Sequence, residues 1–115
     1  MNLFIKEDFI SHAGLPLTWK VECDALTEKD YEALAKIVSE KLTFCDVKGI
    51  PRGGIPFEKA LKKYCTYNES DPLLICDDVY TTGTSMREVY EEGAIGVVVF
   101  ARNEINDDWI KAIWQ

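Results

Sequence analysis

The feature that most restricts the fold of this chain is an unbroken apolar run, Ile95–Ala101, in which three consecutive valines precede a phenylalanine. A strand that is apolar at nearly every position is typical of a parallel sheet buried on both faces. Ahead of this run, helical and strand patterns alternate. They predict a helix at 27–42, a strand at 44–50, a helix at 55–64, a strand at 73–76 and a helix at 85–92. This alternation predicts an α/β fold with an open, mainly parallel sheet, flanked by helices and wound by right-handed crossovers.

Three segments have weaker patterns. Residues 17–23 partly alternate and predict a short strand, and residues 65–67 predict a brief one. From Asp107 onward, apolar side chains recur at helical spacing, which predicts a short C-terminal helix. No repeat or flexible linker divides the 115 residues, so a single domain is expected. It would consist of an N-terminal segment over about 1–26, a core over about 27–106 and a C-terminal helix over about 107–115.

The charge balance excludes several classes of partner. Thirteen Lys and Arg residues stand against twenty Asp and Glu, so the formal net charge is −7. Non-specific nucleic-acid binding and a polybasic membrane anchor both need clustered cations, so neither is expected. No apolar run approaches the ~20 residues of a membrane span. The N-terminus also lacks the basic and apolar regions of a secretory signal, which predicts a cytoplasmic protein.

The cysteines predict buried, reduced thiols rather than a metal site. They are Cys23, Cys45, Cys65 and Cys76. No two of them form a C-x-x-C pair, and the only histidine is His12, whereas zinc sites need clustered ligands. Free cysteine behaves as a small buried hydrophobe, which is the simplest interpretation for this chain.

The segment richest in chemistry is 73–86, which reads LLICDDVYTTGTSM. An apolar strand leads into two consecutive carboxylates, Asp77 and Asp78. A hydroxyl-rich loop follows ahead of a helix, and it consists of Thr81, Thr82, Gly83, Thr84 and Ser85. Hydroxyls and free N–H groups at a helix start bind anions, and glycine lets the backbone approach closely. Carboxylates would repel an anion, so the acid pair should face sugar hydroxyls or a divalent metal; a sugar phosphate fits both parts.

A second segment, 48–57, reads KGIPRGGIPF and places two glycines between a strand and a helix. On its own this pattern marks only a turn. Both this loop and the hydroxyl-rich loop follow strands, and ligands of open parallel sheets bind at the carboxyl ends of strands. The two loops are therefore the candidate ligand-binding segments.

Residues 73–86 resemble the phosphoribosyl-diphosphate (PRPP) binding motif of the type I phosphoribosyltransferases, with an apolar strand, two acids, two hydrophobic residues and a Thr/Gly/Ser loop in that order. Residues 48–57 resemble the pyrophosphate-binding loop of the same family. The resemblance spans almost the whole chain. It implies the family's fold, a Rossmann-like core with a small N-terminal hood segment.

The resemblance also implies residue roles. Asp77 and Asp78 would be catalytic, because they would hold the ribose hydroxyls and position an oxocarbenium-like centre. The 5′-phosphate would be bound by Thr81, Thr82, Gly83, Thr84 and Ser85. Pyrophosphate would be bound, together with the cofactor Mg²⁺, by Arg52, Gly53 and Gly54. No side chain is implied as a direct metal ligand, and the two aspartates would reach Mg²⁺ only through ribose hydroxyls or water.

The N-terminal residues are similar to the hood segment of orotate phosphoribosyltransferases. Residues 9–14 and 17–22 follow that segment in register, except that His12 stands where the family has a lysine. Histidine is mostly neutral at pH 7, so the orotate pattern is broken there; a plain exposed loop histidine is an equal alternative. Residues 107–109, Asp-Asp-Trp, are similar to arrangements that line base pockets in some relatives, although a packing role for Trp109 is favoured.

One part of the family pattern is absent. Orotate phosphoribosyltransferases carry a long basic catalytic loop ahead of the PRPP strand, whereas here only residues 65–72 lie between the second helix and that strand, and they contain no Lys or Arg. Such a loop excludes water and stabilises the departing pyrophosphate. Its absence leaves open whether turnover survives and whether another chain supplies the missing cations.

The resemblance therefore implies a glycosyltransferase of nucleotide metabolism. It would transfer ribose 5-phosphate from Mg²⁺–PRPP to a nucleobase and release pyrophosphate, and relatives of this kind usually form homodimers. The alternative is a non-catalytic module that binds PRPP or a nucleotide. A third interpretation, with less support, is an interaction protein that uses the apolar C-terminal helix. The sequence leaves the acceptor base open.

Overall fold

The computed structural model describes residues 26–115, so the predicted strand at 17–23 and the hood segment before Leu26 lie outside the described residues. The elements are α1 (Glu28–Lys41), β1 (Asp46–Gly49), α2 (Ile55–Leu61) with a 3₁₀ turn (Lys62–Tyr64), β2 (Leu73–Tyr80), α3 (Thr84–Glu88), β3 (Ile95–Ala101) and β4 (Ile110–Trp114). Within residues 26–115, four strands form one sheet in the order β1-β2-β3-β4, and every neighbouring pair is parallel. The predicted α/β fold with a parallel sheet flanked by helices is confirmed.

Helix α1 begins where the sequence predicts. The Thr27 hydroxyl accepts a hydrogen bond from the Asp30 N–H (3.2 Å), and the Asp30 carboxylate accepts one from the Thr27 N–H (2.8 Å). This reciprocal pair is a capping box, which satisfies two amide groups that a helix start leaves without partners. The helix buries Tyr31, Leu34, Ala35, Ile37 and Val38. None of the helices within residues 26–115 is long and apolar enough to cross a membrane.

Both faces of the sheet are covered, which explains why β3 is almost entirely apolar. One face, called here the helical face, packs against α1 and α2. Its buried strand residues are Val47, Leu74, Cys76, Val97, Val99 and Ile113. The other face packs against α3 and residues 102–109, called here the crossing segment, which connects β3 to β4. The buried strand residues of this second face include Ile75, Val98, Ile110 and Ala112.

The predicted C-terminal helix is wrong, because Ile110–Trp114 forms strand β4 alongside β3. Ile110 packs on the second face and Ile113 on the helical face. The Trp114 ring meets the Phe100 ring edge-on, with centroids 6.4 Å apart. Over so few residues, a strand that is apolar on both sides has the same spacing as an amphipathic helix, so periodicity does not separate the two. The apolar C-terminal helix was the basis of the interaction-protein interpretation, which therefore loses its support.

Other elements also differ from the predictions. Strand β2 continues to Tyr80 instead of ending at Cys76, so the acid pair lies inside the strand. Helix α3 ends at Glu88 instead of residue 92, and the Tyr90 ring then packs against Trp109 with centroids 4.6 Å apart. Residues 65–67 are not a strand. The predicted helix 55–64 is present as α2 and its 3₁₀ turn, a common way for a helix to tighten at its end.

Candidate functional site at the carboxyl edge of the sheet

The loop after β1 folds back onto β2. We call residues 51–54 the glycine loop. The Ile50 N–H donates to the Cys76 carbonyl (2.9 Å), and the Gly54 N–H donates to the Ile50 carbonyl (2.8 Å). A Cβ added at Gly54 would lie 2.8 Å from the Cys76 carbonyl oxygen, too close for any other residue type without a shift. Glycine is therefore required here because the backbone of the loop touches the backbone of β2.

The same fold-back brings the glycine loop to the acid pair. A Cβ added at Gly53 would lie 2.7 Å from Oδ1 of Asp78, so the carboxylate rests directly against the loop backbone. The peptide bond between Pro51 and Arg52 is cis, and the Arg52 side chain is exposed. Gly53 and Asp78, which are 25 residues apart in the sequence, therefore meet at one edge of the sheet.

The two aspartates interact with the backbone and with each other. Asp77 Oδ1 accepts a hydrogen bond from the Asp78 N–H, and Asp78 Oδ1 accepts one from the Val79 N–H, both at 2.8 Å. Burial raises the pKa of Asp77 to about 7, and a hydrogen bond with the Asp78 side chain and its negative charge act in the same direction. Near neutral pH the Asp77 carboxyl is therefore divided between its protonated and its ionised forms.

The two carboxylates line different cavities. A cavity of about 640 Å³ lies between the starts of α1 and α2, and Arg52, Gly53 and Asp78 are among its lining residues. Its other charged lining residues are Glu28, Glu32 and Lys59. A pocket of about 50 Å³ is formed by residues 79–86, and Asp77 lies in its wall. The first volume is within the usual range for ligand sites. The acid pair thus stands between a large cavity and a small one.

The hydroxyl loop, residues 81–85, forms most of the small pocket. Its four hydroxyl-bearing residues are exposed, whereas Gly83 is buried. The Thr82 and Thr84 hydroxyl oxygens are 2.9 Å apart. Gly83 has a φ of +80°, a conformation that glycine adopts at little cost. Helix α3 behind the loop has only five residues, so hydroxyl groups, rather than a long helix dipole, are the main polar feature.

A mostly buried carboxylate, that of Asp107, lies beneath the hydroxyl loop. Asp107 Oδ2 accepts hydrogen bonds from the Tyr80 hydroxyl and from Arg87 Nη1, both at 2.8 Å. The Asp107 side chain is only 11% exposed. Sequence reasoning considered Asp107 for a base pocket and missed Tyr80 and Arg87 entirely. No short motif connects these three residues. They meet only because of the path that the crossing segment takes through the fold.

The remaining candidates are placed as follows. Cys45, Cys65 and Cys76 have free thiols, and Cys76 is buried with its Sγ 3.8 Å from the Gly54 carbonyl oxygen. Burial raises the pKa of the Cys76 thiol well above its ordinary value. Cys23 and His12 lie outside the described residues. Among residues 26–115, no group of three or more His, Cys, Asp or Glu side chains is placed to hold a metal ion.

Comparison with protein-family models, with curated proteins and with solved structures found no match for this chain.

Proposed function

We propose that this protein binds PRPP with Mg²⁺ and transfers its ribose 5-phosphate to a nucleobase, with release of pyrophosphate. The observation that carries the proposal is the contact between Gly53 and Asp78, which joins the glycine loop to the acid pair. An exposed arginine, backbone amides, two carboxylates and a cluster of hydroxyls then follow one another along the carboxyl edge. This is the edge at which open parallel sheets bind ligands.

Each part of the ligand has a chemically matched partner. The 5′-phosphate would lie in the small pocket, where the hydroxyl loop offers donors. The ribose hydroxyls would donate to Asp77 and Asp78, which stand between the two cavities. The diphosphate would extend into the large cavity beside Arg52 and the Gly53 backbone. A ligand with anions at both ends and hydroxyls between them fits this order of groups.

The acid pair also suits the charge that develops during transfer. As the bond between C1 and the diphosphate oxygen breaks, its electron pair leaves with the diphosphate and the ribose ring becomes cation-like. Carboxylates held beside the ring stabilise that charge, while Arg52 and the loop amides stabilise the leaving group. Much of the rate enhancement would come from holding the ring, base and leaving group in line.

The residues present fit Mg²⁺ as an ion carried by the ligand. Mg²⁺ typically takes one or two carboxylates together with substrate phosphates and water, rather than a full cage of protein ligands. Asp78 supplies carboxylate oxygens of the required kind in the wall of the cavity proposed for the diphosphate, and Asp77 supplies them in the wall of the neighbouring small pocket. When bound, Mg²⁺ would offset the charge that builds on the departing diphosphate.

A second candidate function is a PRPP- or nucleotide-binding module without turnover. It is favoured by the segment 65–72, which lies at the amino edge of the sheet, because Thr66 N–H and Tyr67 N–H donate to the carbonyls of Phe44 and Cys45. A 2.6 Å hydrogen bond from the Thr66 hydroxyl to Asp71 closes the segment on itself. A connection held at the opposite edge does not cover the proposed diphosphate site, which supports binding without efficient catalysis.

Calorimetry and a pyrophosphate-release assay distinguish these functions. Wild-type protein should bind Mg²⁺–PRPP saturably, and the isosteric Asp77→Asn/Asp78→Asn variant should bind at least about tenfold more weakly because two charged acceptors are lost. Asp46→Asn, which changes an aspartate at the amino edge, is the matched control and should bind normally. Release of pyrophosphate with a panel of nucleobases supports the enzyme, and binding without release supports the module. If the wild type shows no saturable binding of PRPP or of nucleotides, both functions are contradicted.

A further inference from the structure

Asp107 connects the crossing segment to the hydroxyl loop. Its Oδ2 accepts from the Tyr80 hydroxyl at the end of β2 and from Arg87 Nη1 in α3. The Asn106 N–H also donates to the Tyr80 hydroxyl oxygen (3.2 Å), and Tyr80 itself is 1% exposed. Removing this carboxylate would leave the buried Tyr80 hydroxyl and the half-exposed Arg87 guanidinium without their acceptor, and the loss at the buried hydroxyl is costly.

The side chains of Asp107, Tyr80 and Arg87 pack directly against the turn at Gly83. A Cβ added at Gly83 would lie 2.6 Å from Asp107 Oδ2, 2.7 Å from the Tyr80 ring and 2.9 Å from Arg87 Nη1. The crossing segment is attached to the loop at one further point, since Asn103 Nδ2 donates to the Thr81 carbonyl (2.8 Å). The backbone of the hydroxyl loop therefore rests on atoms whose positions Asp107 fixes.

The same group influences the hydroxyl protons. Arg87 Nη2 donates to the Thr84 hydroxyl oxygen at 3.5 Å, while the Thr82 and Thr84 hydroxyls share one hydrogen bond. That shared bond uses one of the two hydroxyl protons. The other hydroxyl proton is left for an acceptor such as a phosphate oxygen, and the Arg87 bond occupies a lone pair of the Thr84 hydroxyl without using a hydroxyl proton.

We propose that Asp107 is a positioning residue of the phosphate site: by holding Tyr80 and Arg87, it fixes the Gly83 turn and the hydroxyl orientation that bind the 5′-phosphate. This inference rests on the proposed function. It assigns Asp107 no direct contact with the ligand. It also makes the crossing segment, whose residues 107–109 the sequence linked only to a base pocket, a structural part of the phosphate site.

Two small ligands test the inference separately from the proposed function. Ribose 5-phosphate probes the hydroxyl loop, and pyrophosphate with Mg²⁺ probes the glycine loop. Asp107→Asn keeps the side-chain shape and should weaken ribose 5-phosphate binding about tenfold, the effect of weakening a charged hydrogen bond. Tyr80→Phe removes a single hydroxyl and should weaken it severalfold. Pyrophosphate binding should stay within about twofold in both variants, because Arg52 and Gly53 do not touch this group.

A spectroscopic measurement adds a readout that overall stability does not move. In ¹H–¹⁵N spectra, the amide signals of Gly83 and Thr84 should shift in Asp107→Asn and stay in place in Asp46→Asn. The inference is overturned if Asp107→Asn and Tyr80→Phe bind ribose 5-phosphate as well as the wild type does, or if both ligands weaken equally, since that would indicate general loss of structure. If the wild type binds neither ligand, the proposed function fails and the inference fails with it.

Discussion

Two aspartates in neighbouring strands have the same local hydrogen bond and opposite electrostatic surroundings. Asp46 Oδ1 accepts from the next residue's N–H at 2.8 Å, and Asp77 Oδ1 does the same at 2.8 Å. Asp46, at the amino edge, is nearly half-exposed and pairs with Lys62 at 2.8 Å, which lowers the pKa of its carboxyl. Asp77, near the carboxyl edge, is half-buried, and burial raises its pKa to about 7. The tertiary surroundings of each carboxylate, rather than its local backbone hydrogen bond, therefore decide the direction in which its pKa shifts.

Two glycines repeat the contrast. Gly93, ahead of β3 at the amino edge, and Gly83, after β2 at the carboxyl edge, have similar positive φ angles of 86° and 80°. A Cβ at Gly93 would meet nothing within 4 Å, whereas a Cβ at Gly83 would collide with three side chains. At the amino edge, Gly93 has open space around it, and the charge of Asp46 is paired with that of Lys62. The carboxyl edge concentrates close approaches and a perturbed carboxylate, which is typical of functional sites.

The largest effect on stability should come from Gly83→Ala, with Gly93→Ala as its matched control. Both variants place alanine at a positive φ, which costs about 1 kcal/mol. Gly83→Ala must also displace Asp107 or its neighbours, and such overpacking typically costs ~1–3 kcal/mol more. Chemical denaturation of the two variants gives the difference directly. If the two variants lose the same free energy of unfolding, the side chains around Asp107 can move aside at no energetic cost. The contrast between the two edges would then disappear.

The second-largest change in stability should be a gain, in the Asp77→Asn variant above neutral pH. The pKa of this group is about 7 in the folded protein, against an ordinary value of 3.8 for aspartate. As pH rises through this interval, the unfolded chain releases the proton before the folded one does, so the wild type loses stability between about pH 4 and 7. The loss is fully present above the folded pKa, and the asparagine variant does not suffer it.

The size of this gain is limited by solvent. Because the Asp77 carboxylate is only half-buried, screening reduces the effect, and we expect Asp77→Asn to be about 1–2 kcal/mol more stable than the wild type at pH 8. Near pH 4 the two proteins should be equally stable. Denaturation curves at both pH values measure this. A variant that is less stable than the wild type at pH 8 would show that the negative charge of Asp77 is compensated in the unliganded protein.

These contrasts also show what sequence can and cannot predict. The apolar pattern of β3 and the helical spacing of α1 each lie within one short stretch of sequence, and both elements were predicted correctly. Strand β4 was misread as a helix because a short strand with apolar residues on both sides has helical spacing. The contact of Asp107 with Arg87 spans 20 residues without a motif, and the burial of Asp77 depends on how the loops close. The Asp107–Arg87 contact and the burial of Asp77 both depend on long-range packing, which the periodicity of the sequence does not reveal.

The smallest change in stability should come from Asp46→Asn. This variant tests the amino edge of the sheet for comparison with Asp77 near the carboxyl edge. Asp46 and Lys62 are each nearly half-exposed, and such surface pairs typically contribute about 0.2–1 kcal/mol. The sign of the pH dependence is opposite to that of Asp77. A lowered pKa stabilises the folded protein above the unfolded pKa near 4, and the contribution is lost as pH falls through the folded value. The variant should therefore be slightly less stable than the wild type at pH 7 and equal to it near pH 2. A stability change in Asp46→Asn larger than that in Asp77→Asn would mean that the amino edge, rather than the carboxyl edge, contains the more strongly coupled carboxylate.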